Sequence, residues 1–532
     1  MLGRGPFENI YNGRLSTKIR PVGEISACVH EETLLIIDPE QPAATGAAET
    51  RSTAAVRTGD IELAIVVLAD GFRNDVVRDL IRSGDLPNIS RHILSGGSQY
   101  DGVTVFPSVT NVAYLPMLTG QYPGTANIPG IRWLDKAKFT SGHLFDAGQR
   151  TYVGAAHTKL NSDLPDNLET LFELCPDSMA FRSDIHRGLS NGLNRFFKLS
   201  QPWMFASHYL KRADFIDKLV MRSLLSALRD RASNLPRFIF VPLLDVDSAS
   251  HARGPQHKRT FDAYRRIDDA IGALVESLTS LGVWSKTHLM VVSDHGHSRT
   301  TEHLDLSRLV SELGYDVFEH PNVFRSKANA AVAVSGNSFA NVYVAHEGKW
   351  ERPLTSNELE GAHKQLASGL AQRPEIEWTA YRDSNGSIKV DSGSGTALVG
   401  RNDGHYEYSF DGADPLQLGL PHTTVDRADA LRMTADTEFP DALEQLWQLF
   451  ASQRTGDIVV TSKPGYDLRG WRERPEHRSS HGSLRREHMM VPILSNRPLS
   501  ANGPVRTVDV FSTIAESLDL AATKSVSGSS LW

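Results

Sequence analysis

Apolar runs that end in carboxylates punctuate the chain. IELAIVVLAD, starting at Ile61, is an almost unbroken apolar stretch closed by Asp70. Such a run suits a strand buried on both faces of a parallel sheet. A helical period follows, with Val76, Val77, Leu80 and Ile81 on one face. The grammar recurs in FIFVPLLDVD (238–247), in the amphipathic stretch 261–282 closed by Gly282, and in HLMVVSDHG (288–296). GDIVVTS (456–462) predicts a fourth such strand, and VDVFSTIAESLDL (508–520) a late helix. Strands alternating with helices predict an α/β fold with a doubly wound, mostly parallel central sheet flanked by helices.

Two stretches break this rhythm. Residues 151–235 are helical in pattern and carry Phe196, Phe197, Trp203 and Phe205, which predicts a helical insertion over the site. Residues 335–440 hold short strand-like runs among Gly and Asp, which predicts a smaller α+β insertion. The core then comprises 61–334 and 441–532. Residues 1–60 read as an N-terminal extension and flexible linker, because 39–60 are rich in Ala, Thr, Pro and Gly.

Composition narrows the chemistry. Lys plus Arg number 56 against 63 Asp plus Glu, a net charge of −7 with no basic stripe, so no nucleic-acid-binding patch is expected. No run approaches the ~18 apolar residues of a membrane span. The N-terminus lacks the apolar core of a signal peptide, so a cytoplasmic location is expected. Two cysteines, Cys28 and Cys175, cannot build a thiolate cluster and are expected to be packing residues. Any metal must therefore be held by His and carboxylates.

In open α/β sheets ligands bind outside the carboxyl ends of the strands. Those ends carry Asp70, Asp245, Asp247 and the pair Asp294-His295. One such Asp is commonplace as a helix cap. Three strands delivering carboxylates to one place repel each other unless a cation lies between them. Asp247 and His251, four apart, can aim at one ion, and His481 adds an imidazole on a Gly-flanked loop. Asp70, Asp247, His251, Asp294, His295 and His481 make three carboxylates and three imidazoles. That set suits two zinc-like ions. VTVFPSVTNVAYLPMLTG (103–120) places hydroxyls at Ser108 and Thr110 before a predicted helix. Spacing alone supports nucleophile and helix cap equally there.

Together DGFR (70–73), FPSVTNVAYLPMLTGQYP (106–123), DVDSASHARGP (245–255), SDHG (293–296) and HGS (481–483) resemble the alkaline phosphatase superfamily. The set looks most like its type I phosphodiesterase and nucleotide pyrophosphatase branch. The resemblance implies that Asp70, Thr110, Asp294 and His295 hold one zinc ion and Asp247, His251 and His481 a second. It also implies that Thr110 is the nucleophile of a two-step displacement through a phospho-threonine, and that Asp245 is not a ligand but either supports the ligands from behind or is structural. The implied substrate is a small-molecule phosphate ester, nucleotide-like and a diester. Phosphomonoester, phosphonate-ester or sulfate-ester hydrolysis on the same metal core is the alternative. A non-catalytic scaffold is a third reading, against which the complete ligand set argues.

The chain departs from that branch at one position. The Asn expected about 21 residues after the nucleophile to bind the phosphoryl group falls, counted without gaps, on Ile131. Asn127, Asn111 or a backbone N–H are the candidate substitutes for it, and Lys159 and His157, in AAHTKLN, are separate candidate phosphate contacts at the mouth of the first insertion. His297, His303 and His488 are expected to be supporting or surface residues.

Overall fold

The computed structural model describes residues 60–139, 148–153, 159–190, 192–195, 213–319, 328–470 and 477–532. The expected linker over 39–60 apart from its last residue, Cys28, His157 and the aromatic group Phe196, Phe197, Trp203 and Phe205 all lie outside them.

The three carboxylate-ended runs form adjacent strands. Leu63–Ala69 lies between Phe238–Leu243 and Thr287–Val292 and is parallel to both. They form the centre of an eight-stranded sheet in which only Met490–Ser495 runs against the rest. All three central strands are buried along their whole length, as continuous apolar runs require when both faces are covered. Alternate residues serve opposite faces. Leu63, Ile65 and Val67 pack with Val77 of helix Asn74–Arg82, with Val220 of Ala213–Asp230 and with Ile271 of Lys258–Ser280. Ala64, Val66 and Leu68 pack with Leu118 of Leu115–Thr119 and Phe511 of Asp509–Ser517 on the other side. The mixed, doubly wound α/β architecture is as the sequence predicts.

A second, nine-stranded sheet corrects the expected fourth core strand. Ile458–Ser462 does not join the parallel sheet. It lies in the second sheet, antiparallel to both Phe339–Val344 and Ile376–Arg382. The sheet draws strands from Val317–Glu319 through to Ile458–Ser462, so it reaches beyond 335–440 on both sides. Within 151–235, Ser178–Phe181 and Asn194–Arg195 extend the main sheet, so this stretch is not purely helical.

The two sheets meet at the site. The turn between Ala330–Ser335 and Phe339–Val344 carries Gly336 and Asn337, both with positive φ. Gly336 O accepts from His481 N at 3.0 Å, and Ser338 N donates to His481 O at 3.0 Å. The same loop holds Gly482 at φ 106°, where a Cβ would stand 2.8 Å from the Ser335 carbonyl. The second sheet thus fixes the backbone that presents His481.

Candidate active site

Each strand end delivers its side chain through a short, hydrogen-bonded turn. Asp70 N donates to Leu243 O at 2.9 Å and Asp247 N to Asp70 O at 3.1 Å, which ties the ends of two strands together. Helix Asp245–Arg253 begins just past Leu243 and puts Asp247 and His251 on one face. At the third strand end, Phe72 N donates to Ser293 Oγ (2.9 Å) and Thr104 Oγ1 to Asp294 O (2.5 Å). Ser479–Ser480 pairs with Ser298–His303 and carries the chain into His481.

These turns bring together all seven residues expected to hold metal, in two groups that share a wall. In the first, His295 Nε2 lies 3.0 Å from Thr110 Oγ1, 3.4 Å from Asp294 Oδ2 and 3.5 Å from Asp70 Oδ1. In the second, Asp247 Oδ1 lies 3.2 Å from His251 Nε2. The rings of His295 and His481 stack at 3.8 Å between the groups. Ligand atoms at about 2.0–2.1 Å around one tetrahedral zinc stand about 3.3 Å from one another. The observed separations match such an edge.

The polar accounting points the same way. Asp70 Oδ1, Asp294 Oδ2 and Asp247 Oδ1 are buried without a hydrogen-bond partner. They are the same carboxylate atoms that face the imidazoles. Buried polar atoms are rarely left unsatisfied, and several aimed at one spot are the donor set that a cation would satisfy. Burial pushes Asp70 well up, and the neighbouring Asp294 and Asp247 charges add to the shift. Burial and Asp247 do the same to Asp294. Burial holds His295 and His481 well below the usual imidazole range, with neighbouring imidazoles adding to it. Burial also opposes charge on Asp247 and His251, but their attraction wins: Asp247 is held low and His251 high. A divalent ion would reverse the penalty on the two raised carboxylates.

The imidazoles are oriented for ligation. Nδ1 of His251, His295 and His481 lies 3.0, 3.2 and 3.0 Å from the carbonyls of Ser479, Gly296 and Ser108. A carbonyl only accepts, so in these contacts Nδ1 donates and Nε2 is left to face the carboxylates.

The two hydroxyls of 103–120 part company here. Ser108 is fully buried and donates to Ser483 O at 2.9 Å, so it supports the His481 loop. Thr110 reaches the ligand cluster. Asn111, at φ 70°, sits beside it in the left-handed region that Asn tolerates. Asp245 pairs with Arg266 at 2.6 Å.

Other candidates are placed elsewhere. Asn127 Oδ1 accepts from Ser452 Oγ at 2.7 Å, so its side-chain oxygen is taken up by the turn that follows helix Ala442–Phe450. Lys159 is exposed at the start of the short helix Leu160–Asp163. Ile131 packs against the apolar core, with no polar group to offer. His488 spans Ser483 Oγ and Ser298 Oγ, 2.8 Å from each, and His303 faces Asp467 at 2.8 Å. His297 is the exception. Its Nε2 lies 3.1 Å from Asp247 Oδ1 inside the cluster, not at its edge. His477, missed in the sequence although it precedes His481 by four, places its ring 4.3 Å from that of His251.

The fold and this cluster define a class: an α/β protein with a candidate metal centre at the carboxyl ends of its central strands, beside a threonine hydroxyl. Residues 64–484 match the model of the type I phosphodiesterase / nucleotide pyrophosphatase family, and the chain belongs to that family. It is 22% identical over 263 residues to bis(5'-adenosyl)-triphosphatase enpp4 of Mus musculus, covering 48% of this chain and 52% of that protein. It is 23% identical over 239 residues to ectonucleotide pyrophosphatase/phosphodiesterase family member 1 of Rattus norvegicus, covering 43% of this chain and 23% of that one. The match thus spans about half the length of the mouse protein and under a quarter of the rat protein. Among solved structures, an inactive variant of murine ectonucleotide pyrophosphatase/phosphodiesterase 5 in complex with AMP aligns with a TM-score of 0.53 at 13% identity. That alignment covers 88% of this chain and 97% of the other, and it shows a shared fold. Among the described residues no helix is long and apolar enough to cross a membrane.

Proposed function

We propose that this chain is a two-metal phosphodiesterase or nucleotide pyrophosphatase with Thr110 as its nucleophile. The observation that carries the reading is the Thr110 hydroxyl, 3.0 Å from His295 Nε2, beside buried carboxylate oxygens that have no hydrogen-bond partner. Asp70, Thr110, Asp294 and His295 would hold one ion and Asp247, His251 and His481 the other. The thiolate-free donor set suits zinc. Bound there, such ions supply Lewis-acid charge neutralisation and lower the pKa of an oxygen nucleophile.

The chain's own residues do the rest. The Thr110 oxygen attacks phosphorus in line and the ester oxygen leaves with its electron pair. The resulting phospho-threonine is then hydrolysed, which returns the hydroxyl. The carbonyls of Ser479, Gly296 and Ser108 hold the imidazoles in the needed orientation throughout. The relatives' names point to nucleotide substrates, and a small nucleotide-like phosphate ester is the proposed substrate here. Rates on bis-p-nitrophenyl phosphate and p-nitrophenyl phosphate test the reading. Faster turnover of the diester is expected; faster turnover of the monoester would favour a phosphomonoesterase.

A further inference from the structure

We propose that His297 is an additional protein ligand to the ion held by Asp247 and His251. The inference rests on the two-metal reading above and adds a donor to it. His297 is fully buried, and its Nε2 has no hydrogen-bond partner. That atom lies 3.1 Å from Asp247 Oδ1, which is itself unpartnered and 3.2 Å from His251 Nε2. One carboxylate oxygen therefore stands at tetrahedral-edge distance, about 3.3 Å, from two imidazole nitrogens at once. Asp247, His251 and His297 each bring a donor atom within 4.8 Å of the other two.

The ring is placed as the other three are. His297 Nδ1 lies 3.2 Å from Ser479 Oγ, on the residue whose carbonyl orients His251, so Nε2 faces the cluster. The rings of His251, His297 and His481 stand 4.9, 5.1 and 5.2 Å apart, a near-regular triangle beside Asp247. Asp247 is common to two sets of donors within 4.8 Å of one another, one with His251 and His297 and one with His295 and His481, so His297 adds a third protein donor to the set of Asp247 and His251. The fold also leaves room for this ring. Gly71, at φ 80°, has no side chain where a Cβ would stand 2.9 Å from His297 Nε2.

The test is a count of ligated rings in the cobalt(II)-loaded full chain by proton NMR. A histidine bound through Nε2 shifts its exchangeable Nδ1 proton far outside the diamagnetic range, one signal per ring. Four such signals are expected, from His251, His295, His297 and His481, with three in His297→Asn. Zinc affinity of the site formed by Asp247 and His251 should fall at least ~10-fold in that variant, the lower end of what losing a mere orienting partner costs. Three signals in both proteins, with unchanged affinity, would overturn the inference and leave the two-metal reading standing. A protein that shows no shifted signals and takes up no metal would instead remove the two-metal reading itself.

Discussion

Gly71→Ala isolates the tightness of the site in one methyl group. Gly71 is at φ 80°, where an L side chain costs about 1–2 kcal/mol. The new Cβ would stand 2.9 Å from His297 Nε2 and 3.0 Å from Asp247 Cα. The second contact is backbone at the start of helix Asp245–Arg253, which is anchored by Asp247 N donating to Asp70 O. Overpacking of this kind costs about 1–3 kcal/mol. The summed destabilisation is about 2–5 kcal/mol, and it falls on residues that hold the ligands. Urea unfolding of the metal-free proteins reads the first effect, and competition with a chromogenic chelator reads the second. The variant should show a lower midpoint at unchanged m-value and weaker zinc binding. A variant within ~0.5 kcal/mol of wild type, with unaltered zinc affinity, would refute the packing argument.

Other perturbations separate chemistry from framework. Thr110→Ala should abolish turnover of bis-p-nitrophenyl phosphate while the protein keeps bound zinc; substantial residual turnover would remove Thr110 as nucleophile. Asp247→Ala should lower zinc content by about one ion per chain, read by elemental analysis, and an unchanged ratio would place the second ion elsewhere. Asp457→Ala strands the buried ammonium of Lys136, whose Nζ lies 2.9 Å from the carboxylate, and should cost about 3–5 kcal/mol in urea unfolding. His288 lies outside the ligand cluster, between Ser517 and Ser495, and burial pushes its pKa down to about 3. Its unfolded counterpart protonates near 6.5, so the unfolded state takes up a proton first as pH falls and stability is lost. Between pH 7 and 5 this one group should remove about 2 kcal/mol. The stability advantage of wild type over His288→Gln should shrink by that amount, and a constant difference would contradict the burial argument.

The strand-end carboxylates are legible in the sequence because a short, continuous apolar run closed by Asp fits a strand buried on both faces better than any amphipathic element. Leu63–Ala69, Phe238–Leu243 and Thr287–Val292 each end where their Asp is needed. The same rule misplaces Ile458–Ser462, since a strand central to an antiparallel sheet covered on both faces carries the same continuous pattern. Asn127 escapes the sequence for a different reason. Its partner, Ser452, lies 325 residues away, and no local signal marks the pairing. His297 and His477 are legible as residues but not as neighbours of His251. Their placement follows from the pairing of Ser479–Ser480 with Ser298–His303, which spacing does not reveal.

Anomalous diffraction at the zinc edge, from crystals of the full chain grown with zinc, tests the two-ion centre most directly. Two peaks are predicted, one bounded by Asp70, Thr110, Asp294 and His295 and the other by Asp247, His251 and His481. A map with no peak among these side chains would contradict the account, as would a single ion bound away from Thr110.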